Sequence, residues 1–254
     1  MKISIITIVY NNVNYIESCI QSVLSQTYPF IEHIVIDGGS NDGTQKVIEP
    51  YIPKLGYFKS EKDKGLYNAL NKGIKVATGD VIGILHSDDL FYQSDSVKKI
   101  AQAFTETQAD LVYANGMYVA KENIRNIKRV YISKPFKKRY LNFGWIPLHT
   151  TIYAKKSVFE EYGLYDQDYD IASDYDISLR WFTNPKITTY FLNTWVVKMR
   201  LGGKSTTAKL QQKKSAEDLR IIKKHKLLGN ITLFFKILRK IPQYGLPKIK
   251  RYET

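Results

Sequence analysis

The chain has one cysteine in 254 residues, so neither an internal disulfide nor a cysteine-based zinc site can form within it. That scarcity favours a reducing compartment. Cys19 itself is spaced with Ile16, Ile20 and Val23 at helical intervals and reads as a small core residue. No stretch reaches the roughly 18 to 20 apolar residues that span a bilayer. The opening MKISIITIVYNN has a short apolar run but neither a long hydrophobic region nor a small-residue cleavage site, and reads as a first strand rather than a leader. A P-loop is missing, as is a GxGxxG after that strand, which removes the usual support for kinase, ATPase and NAD-dependent readings. No fixed-period repeat appears, which argues against a solenoid. Acidic residues are scarce at one end: positions 209–254 hold 13 Lys and Arg against three Asp and Glu, which is +10 of the total +14. A basic tail on a nearly neutral body points to an anionic surface, lipid or nucleic acid, met by the tail.

What is present is a regular alternation. Residues 3–10 (ISIITIVY) form a continuous apolar, β-branched run, the mark of a parallel strand buried on both faces. Asn14 with Glu17 resembles a capping box for a helix through Ile16, Ile20, Val23 and Leu24, which Pro29 ends. A second strand at 33–37 precedes the turn-rich GGSNDGT and a helix through Val47 and Ile48. Leu66, Leu70, Ile74 and Ala77 space a third helix, residues 81–85 make another buried strand, and Val97, Ile100, Ala101 and Phe104 mark a fourth helix. This predicts an α/β protein with a mostly parallel, Rossmann-like sheet and helices on both faces. After residue 105, strand-like runs at 110–114, 117–121, 127–132 and 150–154 predict a smaller mixed sheet. The expected organisation is a domain over 1–208, divided into halves 1–105 and 106–208, with a basic amphipathic helical appendage over 209–254.

Ligands in open parallel sheets bind beyond the carboxyl ends of the strands. Those positions here are Tyr10, Asn11 and Asn12; then Asp37, Gly38, Gly39 and Ser40; then His86, Ser87, Asp88 and Asp89. Asp88 and Asp89 repel each other unless something compensates. A hard divalent cation would do so, and so would the free N–H groups of a following helix. The segments DGGSNDGT and EKDKGLYNALNKG pair acids and amides with glycines, whose backbone can approach a ligand closely.

The order of these segments, YNN, VIDGGSNDGT, EKDKGLYNALNKGI, SDD and finally IASDYDISLR, resembles a family 2 glycosyltransferase of the GT-A fold, from residue 3 to about residue 205. The resemblance implies a nucleotide-sugar pocket drawn from Thr7, Val9, Tyr10, Asn12, Asp37, Gly38, Gly39, Asp63, Gly65, Asn68, Asp88 and Arg200. In it Tyr10 and Asp37 cradle the base and Asp88 holds the ribose or sugar. It further implies Mn²⁺ or Mg²⁺ on Asp89 and Asp174 as general base. His86 departs from the acid or Asn of many relatives and reads as a metal ligand or a supporting group. Asp176 could orient Asp174 or pair with a Lys or Arg. His149 in PLHTTIY could touch the acceptor or diphosphate, or be a satisfied core residue. Arg200 and Lys204 in RLGGKS would form a mobile lid over the diphosphate, where sequence alone permits an ordinary basic turn.

The implied reaction is inverting transfer from a nucleotide-diphosphate sugar, of the UDP class, to an acceptor hydroxyl in bacterial surface-glycan synthesis. The expected acceptor is a glycan or lipid-linked saccharide. The expected location is cytoplasmic, peripheral on the inner face of the membrane, with residues 219–254 either on anionic lipid or packed on the catalytic domain. Two other classes compete. A sugar-phosphate nucleotidyltransferase would need a Gly- and Arg-rich N-terminal phosphate loop, which residues 9–16 lack. A nucleic-acid-binding protein would leave the five acids Asp37, Asp63, Asp88, Asp89 and Asp174 facing phosphates that they repel, so no nucleic-acid partner is expected.

Overall fold

The computed structural model describes residues 1–202, 208–250 and 252. The N-terminal apolar run forms β1 (Ile3–Val9), buried at every position. Parallel to it lie β2 (Ile31–Asp37), β3 (Tyr57–Ser60) and β4 (Val81–Ile84), in the order β3-β2-β1-β4. The crossovers are α1 (Ile16–Leu24), α2 (Thr44–Ile48) and α3 (Leu66–Val76). The chain winds outward from β1 through β2 to β3 and then returns on the other side of β1 as β4. The strand order therefore reverses at β1, and a crevice opens beyond the carboxyl ends of β1 and β4.

The second half is a mixed sheet continuous with the first. It contains β5 (Leu90–Phe91), β6 (Leu111–Val119), β7 (Ile127–Tyr131), β8 (Ile152–Lys155) and β9 (Thr189–Arg200), ordered β4-β8-β6-β9-β5 with β7 on β6. The helices here are α4 (Ser96–Thr107), α5 (Arg139–Asn142), α6 (Lys156–Tyr162) and α7 (Ser173–Thr183). The runs expected at 110–114 and 117–121 are one strand, β6, whose register against β9 shifts around Asn115. Gly83 is required where the two halves meet: a Cβ there would lie 2.1 Å from the Tyr153 ring of β8.

Two local expectations are corrected. Asn14 and Glu17 do not cap α1, which begins at Ile16 without a side-chain cap, and Glu17 instead accepts a hydrogen bond from the Tyr51 hydroxyl (2.7 Å). In α3 the inward face is set by Tyr67, Leu70, Asn71 and Ile74, while Leu66 is 43% exposed. The i, i+3, i+4, i+7 spacing from Tyr67 is the true stripe.

The region expected to be an appendage helps to build the core. It forms α8 (Ala208–Lys224), α9 (Asn230–Leu238) and α10 (Lys240–Ile249). Ile221 and Ile222 of α8 are fully buried in the largest hydrophobic cluster, together with Ile177, Leu179 and Trp181 of α7. Asp176 of α7, wholly inaccessible, pairs with Arg180 (3.4 Å), Lys224 (3.0 Å) and His225 (3.0 Å). The Glu217 carboxylate accepts from the backbone N–H groups of Asp170, Ile171 and Ala172 (3.1, 3.0 and 2.9 Å), at the approach to α7. A carboxylate there satisfies orphan donors and favours the positive end of the helix dipole. Glu217→Ala is expected to lower stability by about 1–3 kcal/mol, read from the urea midpoint, because three backbone donors, two of them in part-buried hydrogen bonds, lose their acceptor.

Candidate active site

The crevice floor is built by backbone turns. Asn11 adopts a left-handed conformation (φ 49°). Its N–H donates to Ser40 Oγ (2.8 Å), and its side-chain oxygen accepts from the Asn41 N–H (3.0 Å). Asp37 is fully buried and accepts from the Ser40 N–H (3.0 Å) and from the hydroxyls of Ser40 and Ser60 (2.5 Å each). Gly38 lies where a Cβ would come within 3.1 Å of Asp63 Oδ2 and 3.4 Å of the Tyr10 ring. Tyr10, Gly38 and Asp63 thus converge on one hollow, beside the left-handed Gly39 (φ 79°). Lys72 neutralises Asp63 (2.6 Å), and Asn12 donates to Ser87 Oγ (2.8 Å), tying the β1 loop to the β4 loop. Gly65 (φ 120°) starts α3 at the edge of this region.

Two residues implied for the pocket, Thr7 and Val9, are not brought to it as side chains. Thr7 is fully buried against His33 Nε2 (3.0 Å), on the helix-covered side of β1. Val9 packs with Ile16 and Ile20, and only its carbonyl, which accepts from the Gly38 N–H (2.8 Å), faces the turn. The Asn68 amide donates to Gln167 (2.9 Å).

Asp88 and Asp89 occupy a tight turn closed by the Asp89 N–H on the His86 carbonyl (2.9 Å). Neither caps a helix, since α4 begins at Ser96 with Asp95 at its N-cap. Arg200, ending β9, donates its guanidinium to the Asp88 carbonyl (2.6 Å) and its N–H to Asp89 Oδ1 (3.2 Å). Its guanidinium also lies over the Tyr15 ring at 4.9 Å. Asp89 Oδ2 is buried without a partner. Burial, and after it the neighbouring Asp88 charge, pushes the Asp89 carboxyl well above its ordinary pKa. An orphaned carboxylate oxygen beside a second acid fits a hard divalent cation. Among the described residues no three His, Cys, Asp or Glu side chains cluster to hold one, so most of its ligands would be substrate oxygens and water. Lys204, with Gly203 and Ser205 of the expected lid, lies outside the described residues.

Asp174, in the first turn of α7, is 22% exposed at its side chain. His149 Nδ1 lies 3.3 Å from Asp174 Oδ2, and the Tyr67 hydroxyl lies 3.4 Å from Oδ1. His149 Nε2 in turn lies 3.0 Å from His86 Nε2. His149 is thus neither a lone core residue nor a free ligand, and His86 faces His149. Burial opposes ionisation of Asp174, but His149, Lys214 and Lys236 outweigh it and hold its pKa below the ordinary value. Asp176 does not orient Asp174, its contacts being those that dock α8. Sequence reading missed Tyr67, stacked on Tyr165 at 5.6 Å, and Glu217. Helical spacing could have exposed Tyr67; nothing local marks Glu217.

A parallel sheet with a switch-point crevice, extended by a mixed sheet and rimmed with carboxylates, is the GT-A arrangement. The chain matches the Glycosyl transferase family 2 model over residues 4–162 and belongs to that family. It is 29% identical over 209 residues to a PGL/p-HBAD biosynthesis glycosyltransferase of Mycobacterium bovis, covering 80% of this chain and 79% of that one. In fold it is similar to S. aureus TarS 1–349 in complex with UDP-GlcNAc (TM-score 0.66, 19% identity, 93% and 69% covered). It is also similar to mannosyltransferase PcManGT from Pyrobaculum calidifontis in complex with GDP-Man and Mn²⁺ (TM-score 0.66, 18% identity, 96% and 73% covered). Membership decides for a glycosyltransferase over the nucleotidyltransferase and nucleic-acid readings.

The histidines give a stability signature. Burial depresses His33 to about 3, and it depresses His149, with Asp174 pulling the other way, to about 4. As pH falls through the ordinary value near 6.5, the unfolded chain takes up protons that the folded chain refuses. Stability is therefore complete above about pH 6.5 and declines below it, by at most about 1.4 kcal/mol per pH unit for each such group. Urea midpoints should fall between pH 7 and 5, and less steeply in His33→Gln.

Proposed function

We propose that the chain is an inverting transferase that moves a sugar from a nucleotide-diphosphate sugar, of the UDP class, to an acceptor hydroxyl in bacterial surface-glycan synthesis. The observation that carries this reading is Asp174: a carboxylate kept ionised at the start of α7 and joined through His149 and His86 to the strand end that bears Asp88 and Asp89. The hollow of Tyr10, Gly38 and Asp63, with Asp37 beneath it, would take the base, and Tyr10 offers a ring 49% exposed. The complexes of TarS with UDP-GlcNAc and of PcManGT with GDP-Man support a nucleotide-diphosphate sugar as donor, and the first of them a UDP-sugar.

Mn²⁺ or Mg²⁺ at Asp89, with Asp88 beside it, would neutralise charge on the departing diphosphate. The chain's own residues would do the rest. Arg200 fixes the Asp88–Asp89 turn. Asp174 accepts the acceptor's proton while the new C–O bond forms, when the hydroxyl is far more acidic than in solution, so a carboxylate of low pKa suffices. Attack opposite the leaving group inverts the anomeric carbon in one displacement without a covalent intermediate. Nucleotide sugars screened by thermal shift, with and without Mn²⁺, should yield one stabilising class, because a ligand that binds only the folded state raises its stability. Asp174→Asn should keep that shift while turnover falls by about 10²–10⁴-fold. Normal turnover in Asp174→Asn would remove Asp174 from the role.

The tail supports an acceptor held at a lipid surface. Its inner side docks on the catalytic domain. Its outer side exposes Leu228, Ile231, Phe234, Leu238 and Ile241, spaced by three or four residues. Phe143, next to α5, extends this face through its contact with Phe235 (5.4 Å). Exposed Lys137, Lys138, Arg139, Lys226 and Lys248 belong to the same elements or adjoin them. No helix among the described residues is long and apolar enough to cross a membrane, whereas an apolar stripe with basic neighbours fits an anionic leaflet. Lys236 of α9 contributes to the field at Asp174, so this helix connects the lipid face to the base. Sedimentation with phosphatidylglycerol vesicles should be lost in Phe234→Asp/Ile241→Asp. Equal binding to neutral vesicles, or retention by duplex DNA with none by vesicles, would contradict the assignment.

A further inference from the structure

We propose that His86 and His149 form a two-imidazole strut that fixes the tautomer of His149 and presents its Nδ1–H to Asp174 Oδ2, so that the acceptor hydroxyl meets Asp174 Oδ1 beside the Tyr67 hydroxyl. The inference rests on the reading of Asp174 as the base and assigns both histidines as positioning residues.

The proton inventory allows one arrangement. An ionised carboxylate only accepts, so His149 Nδ1, 3.3 Å from Asp174 Oδ2, carries the hydrogen. Burial drives His149 toward the neutral form, and a neutral imidazole holds one N–H. His149 Nε2 is therefore an acceptor, and His86 Nε2, 3.0 Å away, is the donor to it. The strut joins three side chains through one imidazole–imidazole hydrogen bond (3.0 Å) and the close approach of His149 Nδ1 to Asp174 Oδ2 (3.3 Å).

The strut also joins two elements that chemistry must hold in register. His86 follows β4 and begins the turn that ends in Asp89, while Asp174 opens α7. His149 lies in a 3-10 turn, His149–Thr151, that packs between β4 and α7. The remaining groups facing Asp174 come from other elements: the Tyr67 hydroxyl of α3, the Tyr165 hydroxyl, and the charges of Lys214 on α8 and Lys236 on α9. Among the described residues the strut connects Asp174 to the strand end that bears Asp88 and Asp89. It inverts the familiar order in which a carboxylate orients a histidine base.

The test is a set of paired substitutions read by pH profile. Asn places an amide N–H near the position of Nδ1, and Gln places one near Nε2. His149→Leu should lower kcat by up to about 100-fold and move its acid limb to higher pH, since Asp174 loses a stabilising donor, with the donor KM unchanged. His149→Asn should restore most of kcat and the limb, and His149→Gln should not. The pattern reverses at the other end, where His86→Gln should preserve activity and His86→Leu should not. Thermal unfolding checks that each variant is folded. Independently of turnover, ¹⁵N spectra of the wild-type protein should show His149 protonated at Nδ1 and His86 at Nε2. An unmoved acid limb in folded His149→Leu, equal rescue by Asn and Gln, or an Nε2–H tautomer at His149 would overturn the strut. Full turnover in Asp174→Asn would instead remove the base while leaving the tautomer assignment standing.

Discussion

The seating of α7 on α8 is the interaction on which the rest depends. A carboxylate at the amino end of a helix can serve as a base only if that end is held at a fixed distance from the donor. Glu217 holds it by accepting three consecutive backbone N–H groups, and Asp176, two residues after Asp174, holds it through Lys224 and His225. The basic C-terminal region is thus structural on its inner side, and its Lys214 and Lys236 also act on Asp174 through space. One segment fixes the helix, helps to lower the pKa of Asp174 and turns an apolar face outward.

The second constraint is electrostatic: five acids gather at one rim of a sheet, and each is treated differently. Asp37 is quenched by two serine hydroxyls and an N–H, and Asp63 is paired with Lys72. Asp174 is held by an imidazole and a phenol. The backbone of the Asp88–Asp89 turn is pinned by Arg200, yet Asp89 keeps one oxygen without a partner. Uneven compensation separates them: Asp37 and Asp63 are satisfied, Asp89 retains capacity for a cation, and Asp174 is held with a lowered pKa.

Legibility in the sequence followed the range of the interactions. β1 and β4 are plain because a strand buried on both faces is a continuous apolar run, and Asp37, Asp88 and Asp89 are plain because they stand at strand ends, whereas Asp174 opens a helix and is legible only through the IASDYDISLR segment. Thr7 and Val9 lie within β1 itself, where pleat and helix cover, which no local motif reports, turn their side chains inward. Tyr67 meets Asp174 across 107 positions, and Glu217 reaches Ala172 across 45. Helical spacing marks Tyr67 as inward-facing but not its partner, and nothing local marks Glu217. The capping box at Asn14 and Glu17 failed for a local reason: the turn at Asn11 and Asn12 delays α1, and Glu17 is taken by Tyr51. The tail's amphipathic pattern announced two faces, but composition could not reveal that the inner one completes the core through Ile221 and Ile222.

Single displacement with Asp174 as base makes the stereochemical outcome the most direct measurement. With the donor identified by thermal shift, NMR of the sugar transferred to an alcohol or to water, recorded before mutarotation, reports the anomeric configuration. An α-configured donor should give a β product. Retention of configuration would contradict a one-step mechanism and the role given to Asp174.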